Sequence, residues 1–161
     1  MIIAAIATGQ ASAQEETFSS PSVDYSFKLP NGQWQQTVKP SDTNPNVEYV
    51  FGLRVDGHLE VRKLAARKER LTTDIIQDEE QKLQFLPGYV AGKEENFAGA
   101  FFRGVIFNYE YVRAGRPMSG RMYFLRVNDT TVYVLRFSGL KDKLRSIEHQ
   151  TDSIARTFTV R

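Results

Sequence analysis

Gly120-Arg-Met-Tyr-Phe-Leu-Arg-Val127, a turn at Asn128-Asp129, Thr130-Thr-Val-Tyr-Val-Leu-Arg-Phe137, a break at Ser138-Gly139, and then Leu140 to Phe158 form the stretch that decides the fold. Two runs rich in aromatic and β-branched residues around a short polar turn predict a β-hairpin. After the break, Leu140, Leu144, Ile147, Thr151, Ile154 and Phe158 recur at spacings of four and three. That spacing predicts one amphipathic helix, whose apolar stripe must be buried against a sheet. A hairpin covered by a helix is therefore the expected core.

Working outward, a second hairpin is expected where Asp56-Gly57 separates Val47–Val55 from His58–Leu64, since Asp-Gly suits a two-residue type I′ turn. Tyr49, Phe51, Leu53 and Val55 then share one face and Glu48 and Arg54 the other. Counted from that turn, Glu48 and Glu60 are not cross-strand partners. Tyr25, Phe27 and Leu29 alternate with polar residues and predict a half-buried strand, which Pro30-Asn31-Gly32 turns into Trp34–Val38. Trp34 is expected to close one end of the core, with ligand stacking as the alternative.

Lys39 to Asn46 reads as a loop. Thr72 or Thr73 is expected to cap a helix bearing Asp74, Ile75, Ile76 and Leu83, ending before Pro87-Gly88. Its run Asp78-Glu79-Glu80 points in several directions and is read as a solvated face rather than a metal site. Tyr89 to Asn96 predicts a short strand and turn. Phe97 to Val112 predicts one long strand, and Ala114 to Gly120 a hairpin loop.

The chain has 161 residues, 41% hydrophobic and 25% charged, enough for one sizeable domain. The net charge of +2 is unevenly spread: residues 14–99 carry −4 and residues 100–161 carry +6. A basic C-terminal half suits an anionic partner, unless folding interleaves the two halves. Cysteine is absent, which excludes disulfides, thiolate metal sites and cysteine nucleophiles.

Met1 to Ala7 is an unbroken apolar run, and Ala11-Ser12-Ala13 matches the small-residue pattern of a secretory cleavage site. Residues 1–13 are thus expected to be an export signal, 14–23 a flexible lead-in, and 24–161 a single α+β domain, periplasmic or secreted. No Lys or Arg precedes the run, so the preferred reading puts the true start upstream; the other is an apolar N-terminus on a cytosolic protein. No stretch reaches the roughly 20 apolar residues needed to span a bilayer, and no integral membrane segment is expected in the mature chain.

The order of elements predicts an antiparallel sheet of about six strands flanked by helices. Tyr25-x-Phe27-x-Leu29-Pro30 followed by Trp34, the strand ending Phe107-Asn-Tyr-Glu-Tyr111, the Arg121–Leu125 and Val132–Phe137 hairpin, and the helix ending Ala155-Arg-Thr-Phe158 together resemble the PsbP/Mog1/DcrB-like group. The resemblance spans roughly residues 24–160 and is one of pattern and element order, not of a signature motif. It implies a Mog1/PsbP-like sandwich. It also implies a binding or assembly role, since that group includes an extrinsic photosystem II subunit, a Ran-binding factor and bacterial envelope proteins.

The residues themselves point away from catalysis. His58 and His149 read as exposed, no histidine pair has metal-ligand spacing, and neither a Gly-x-Ser-x-Gly elbow nor a phosphate loop occurs. No catalytic residue, metal or cofactor is expected. Tyr123, Arg126, Tyr133 and Arg136 would permit nucleic-acid stacking on an open sheet, but such residues usually pack under a helix, so no nucleic-acid partner is expected.

The leading expectation is a non-catalytic exported binding or scaffold protein. It would meet an envelope protein through Arg113, Arg116 and Arg121, unless these are ordinary solvated arginines. The alternative is a small-ligand carrier with an aromatic pocket of Phe101, Phe107, Tyr109 and Tyr123, residues equally needed to fill the core. An enzyme of unrecognised type ranks last.

Overall fold

The structure, a computed structural model, describes residues 14–161; the expected export signal at 1–13 lies outside them. In chain order the elements are β1 Glu16–Phe18, β2 Tyr25–Leu29, β3 Trp34–Val38, β4 Val47–Phe51, β5 His58–Ala65, α1 Thr72–Leu83, β6 Val90–Ala98, β7 Arg103–Arg113, β8 Arg116–Asn128, β9 Thr131–Leu140, α2 Lys141–Ser146, α3 Glu148–Thr157 and β10 Thr159–Val160. Seven strands form one antiparallel sheet ordered β3-β4-β5-β9-β8-β7-β6, and β1-β2-β10 form a small second sheet. The class is α+β, with more strands than the sequence announces.

The β8–β9 hairpin is central because it is apolar on both faces. Tyr123, Leu125, Tyr133, Leu135 and Phe137 face a core closed by α2, α3 and the small sheet, through Leu144, Ile147, Ile154, Phe158, Tyr25, Phe27 and Leu29. Met122, Phe124, Val132 and Val134 face the opposite side, where Ile75, Ile76 and Leu83 of α1 cover them. Strands buried on both faces show near-continuous hydrophobic runs, as these do. Trp34 closes the first core, with its indole N–H donating to Gln150 Oε1 at 3.0 Å. Among the described residues no helix is long and apolar enough to cross a membrane.

Several local expectations give way to tertiary contacts. Ser138-Gly139 is not a break: both pair with β8, so β9 runs on to Leu140. The expected single helix divides at Ile147, whose φ of −111° leaves the helical range, although Leu144, Ile147, Thr151 and Ile154 are all buried. Phe97 belongs to β6, and the turn before Arg103 separates it from β7.

The stretch expected as a flexible lead-in carries β1, which pairs with β2 and buries Phe18 against the rings of Phe27 and Tyr25. Leu71 occupies the α1 N-cap position, and the Asp74 carboxylate accepts its backbone N–H at 3.2 Å.

Asp56-Gly57 does not form a two-residue turn. Val50 pairs with His58, so the connection is Gly52–Gly57, with Gly52 at φ 65°. Docking on β9 outweighs the local turn preference: Leu140 donates its N–H to the Val55 carbonyl at 2.7 Å, and the Asp56 and Val55 carbonyls occupy the space beside Gly139. The resulting register makes Glu48 and Glu60 direct cross-strand partners and leaves Leu53 69% exposed. Like charges so placed repel. Each has a partner: Glu48 Oε2 lies 2.8 Å from His58 Nε2, and Glu60 Oε1 lies 2.8 Å from Arg62 Nε.

The hairpin loop expected at Ala114–Gly120 is instead a two-residue turn. Ala114 and Gly115 have φ of 49° and 72°, and β8 begins at Arg116. Pro117 is tolerated in the strand because its partner Val112 directs its N–H away from β8, to the Pro87 carbonyl at 2.8 Å; no ladder bond is lost there.

Candidate functional site

The arginines expected to act together are separated. Arg121 is only 7% exposed and its donors are committed within the chain. Nη1 donates to Glu95 Oε2 and Asn108 Oδ1 at 3.0 Å each, Nη2 to Asp152 Oδ1 at 2.9 Å, and Nε to the Tyr123 hydroxyl at 2.8 Å. Tyr123 in turn donates to Asp152. Burial alone would raise the Glu95 carboxyl, but hydrogen bonds from Arg121 and Asn108 outweigh it and hold it below its ordinary range. A guanidinium satisfied in this way ties β6, β7, β8 and α3 together and has little left for a partner.

The four aromatics proposed for a ligand pocket do not surround one cavity. Phe107 and Tyr109 pack beneath α1, Tyr123 lies on the opposite face, and Phe101 stands 62% exposed in the β6–β7 turn. Burial pushes the Tyr109 hydroxyl up to about 12.

The acidic run on α1 also divides. Asp78 pairs with Arg70 at 2.6 Å, Glu80 accepts the Tyr89 hydroxyl at 3.1 Å, and Glu79 is buried on Arg62 at 2.5 Å and Lys82 at 2.8 Å. Only part of the run is therefore the solvated face expected of it. Among the described residues no group of three or more His, Asp or Glu side chains could hold a metal ion.

A different set of cations converges at the end of the sheet where the β4–β5 loop meets the β7–β8 turn. Arg54, His58, Tyr111, Arg113, Met118, Arg136, Ser138 and Gly139 line a small depression, and none of them is a carboxylate. His58 is buried, against the sequence expectation, with its ring nitrogen held by Glu48. Arg54 reaches the same carboxylate only at 3.8 Å and is 64% exposed. Among the described residues the buried Arg136 Nε has no hydrogen-bond partner.

Arg113 and Arg116 are exposed and directly opposite one another across the turn. Strand parity puts them on the face of the depression, because Tyr111 pairs with Met118 two positions earlier. Arg54 and Arg136 were missed in sequence because their meeting depends on the β4–β5 loop docking on β9. The one available signal is the parity of Arg136, opposite to that of Tyr133, Leu135 and Phe137.

No protein-family model matches the sequence, and comparison with curated proteins also finds no match. Solved structures do match. The cyanobacterial PsbP (CyanoP) of Synechocystis superposes with a TM-score of 0.60 at 12% identity, covering 99% of each chain. The chain has a PsbP-type fold. LpqN, involved in cell envelope biogenesis of Mycobacterium tuberculosis, shares this PsbP-type fold with a TM-score of 0.58 at 14% identity over 91% of this chain and 90% of LpqN. PA94, a protein of unknown function from Pseudomonas aeruginosa, matches with a TM-score of 0.55 at 16% identity over 91% and 97%. At these identities the likeness is one of fold.

Proposed function

We propose that this chain is a non-catalytic binding or scaffold protein of the cell envelope that recognises another envelope protein through the basic end of its large sheet. The observation carrying this reading is the set of arginines at that end: Arg54, Arg113 and Arg116 are exposed around a depression free of carboxylates. Arg121, tied up in its own network, drops out of the expected surface. The PsbP-type fold supports the reading, since LpqN, which has it, is involved in cell envelope biogenesis. The apolar run and Ala11-Ser12-Ala13 support a place outside the cytoplasm.

The test is gentle purification of the tagged protein from envelope extract of its own host, followed by native mass spectrometry. A stoichiometric second protein that dissociates as ionic strength rises is expected, because exposed arginines act through screened charge. A small added mass on a monomer would favour ligand carriage and contradict the proposal.

A further inference from the structure

We infer that the depression lined by Arg54, Arg113 and Arg136 is a carboxylate-binding site that receives an acidic segment of the partner protein. The inference rests on the binding-protein reading and adds the chemistry of what is bound. Three arginines from three separate elements converge there: the β4–β5 loop, the end of β7, and β9. No carboxylate lines the depression, and the neighbouring ones have partners of their own. Glu48 is held by His58 and approached by Arg54, and Glu60 by Arg62. Arg136, which stands cross-strand from Glu60, has no ion pair with it.

An unmatched buried N–H is costly, and guanidinium groups present paired donors that fit a carboxylate. Ser138 also lines the depression, and a hydroxyl can donate to an oxyanion. An incoming oxyanion can therefore pair with the Arg136 guanidinium and relieve the repulsion among the surrounding cations.

One feature favours an acidic segment over an isolated anion. Arg116, directly opposite Arg113, extends the basic strip beyond the depression, so successive carboxylates can be matched.

The test uses fluorescein-labelled hexaglutamate, titrated against the full chain at low salt and followed by anisotropy. Saturable binding is expected, weakened about tenfold or more in Arg136→Gln and in the double variant Arg54→Gln/Arg113→Gln. Arg103→Gln, at the far end of β7, should leave it unchanged. The double variant alters only exposed side chains, so it remains informative if Arg136→Gln fails to fold.

Absence of hexaglutamate binding by the wild type, or unchanged affinity in the double variant, overturns the inference. Displacement of the peptide by inorganic phosphate at far lower concentration than by free glutamate overturns the carboxylate assignment. If wild type and double variant capture the same envelope protein equally in native mass spectrometry, this site is wrong while the binding-protein reading stands. If the wild type binds hexaglutamate but captures no protein, the carboxylate site stands and the binding-protein reading falls.

Discussion

Arg113 and Arg116 stand directly opposite each other across the Ala114-Gly115 turn, two like charges on the same face of the sheet. Such a pair opposes folding by a few tenths of a kcal/mol, up to about 1 kcal/mol. Arg116→Glu should therefore stabilise the isolated chain by about 0.5 kcal/mol in urea unfolding followed by Trp34 fluorescence, the pair being exposed and partly screened. The same substitution should weaken capture of an acidic partner. A variant both more stable and less able to bind separates surface chemistry from fold integrity; a loss of stability would contradict the pairing.

Ala114 holds a left-handed conformation at φ 49°, which costs an L-residue with a Cβ about 1–2 kcal/mol. Asn is favoured at this first position of a type I′ turn. Ala114→Asn is expected to raise stability by about 1 kcal/mol in the same assay. An unchanged or lower unfolding midpoint would mean that the turn does not bear this strain.

The ring of Tyr109 covers Gly120, its cross-strand partner, so closely that a Cβ there would lie 2.0 Å from a ring carbon. Gly120→Ala must displace a ring packed under α1, and should cost about 3 kcal/mol. Gly32→Ala, with no atom within 4 Å of the new Cβ, should stay within about 0.5 kcal/mol of wild type. Equal effects at the two sites would show that the aromatic cover is not what excludes a side chain.

Glu79 makes acid stability partly a property of the contact between α1 and the sheet. Burial by itself would raise its carboxyl, but hydrogen bonds from Lys82 and Arg62, and their charges, hold it below the ordinary value of 4.5. The unfolded chain then binds the extra proton. The contribution is present above about 4.5 and is lost as pH falls through the lower folded value. Glu79→Gln should flatten stability against pH in that acid window, relative to wild type. Parallel curves would contradict the assignment.

Short-range sequence signals located the strands and helices well where one pattern dominated. The alternating apolar faces of β2 and the doubly apolar β8 and β9 were legible because burial alone explains their residues. Asp56-Gly57 misled because a good local turn lost to the docking of Gly52–Gly57 against Gly139 and Leu140.

Phe18 was hidden among Ser and Thr, and three residues of β1 give no period to read. The candidate site followed the same division. Arg113 and Arg116 were accessible as turn residues, whereas burial of Arg121 depends on Glu95 and Asp152 arriving from β6 and α3. Arg54 and Arg136 meet only through a register that the sequence misstates.

The most direct test of the central claim is native mass spectrometry of tagged wild-type protein and of an Arg54→Glu/Arg113→Glu/Arg116→Glu variant, each purified from envelope extract of the same host at low ionic strength. A stoichiometric protein partner on the wild type and a bare monomer for the variant, with unfolding midpoints no lower than wild type, is the predicted result. The same partner retained at the same stoichiometry by the charge-reversed variant would contradict a binding surface at the basic end of the sheet.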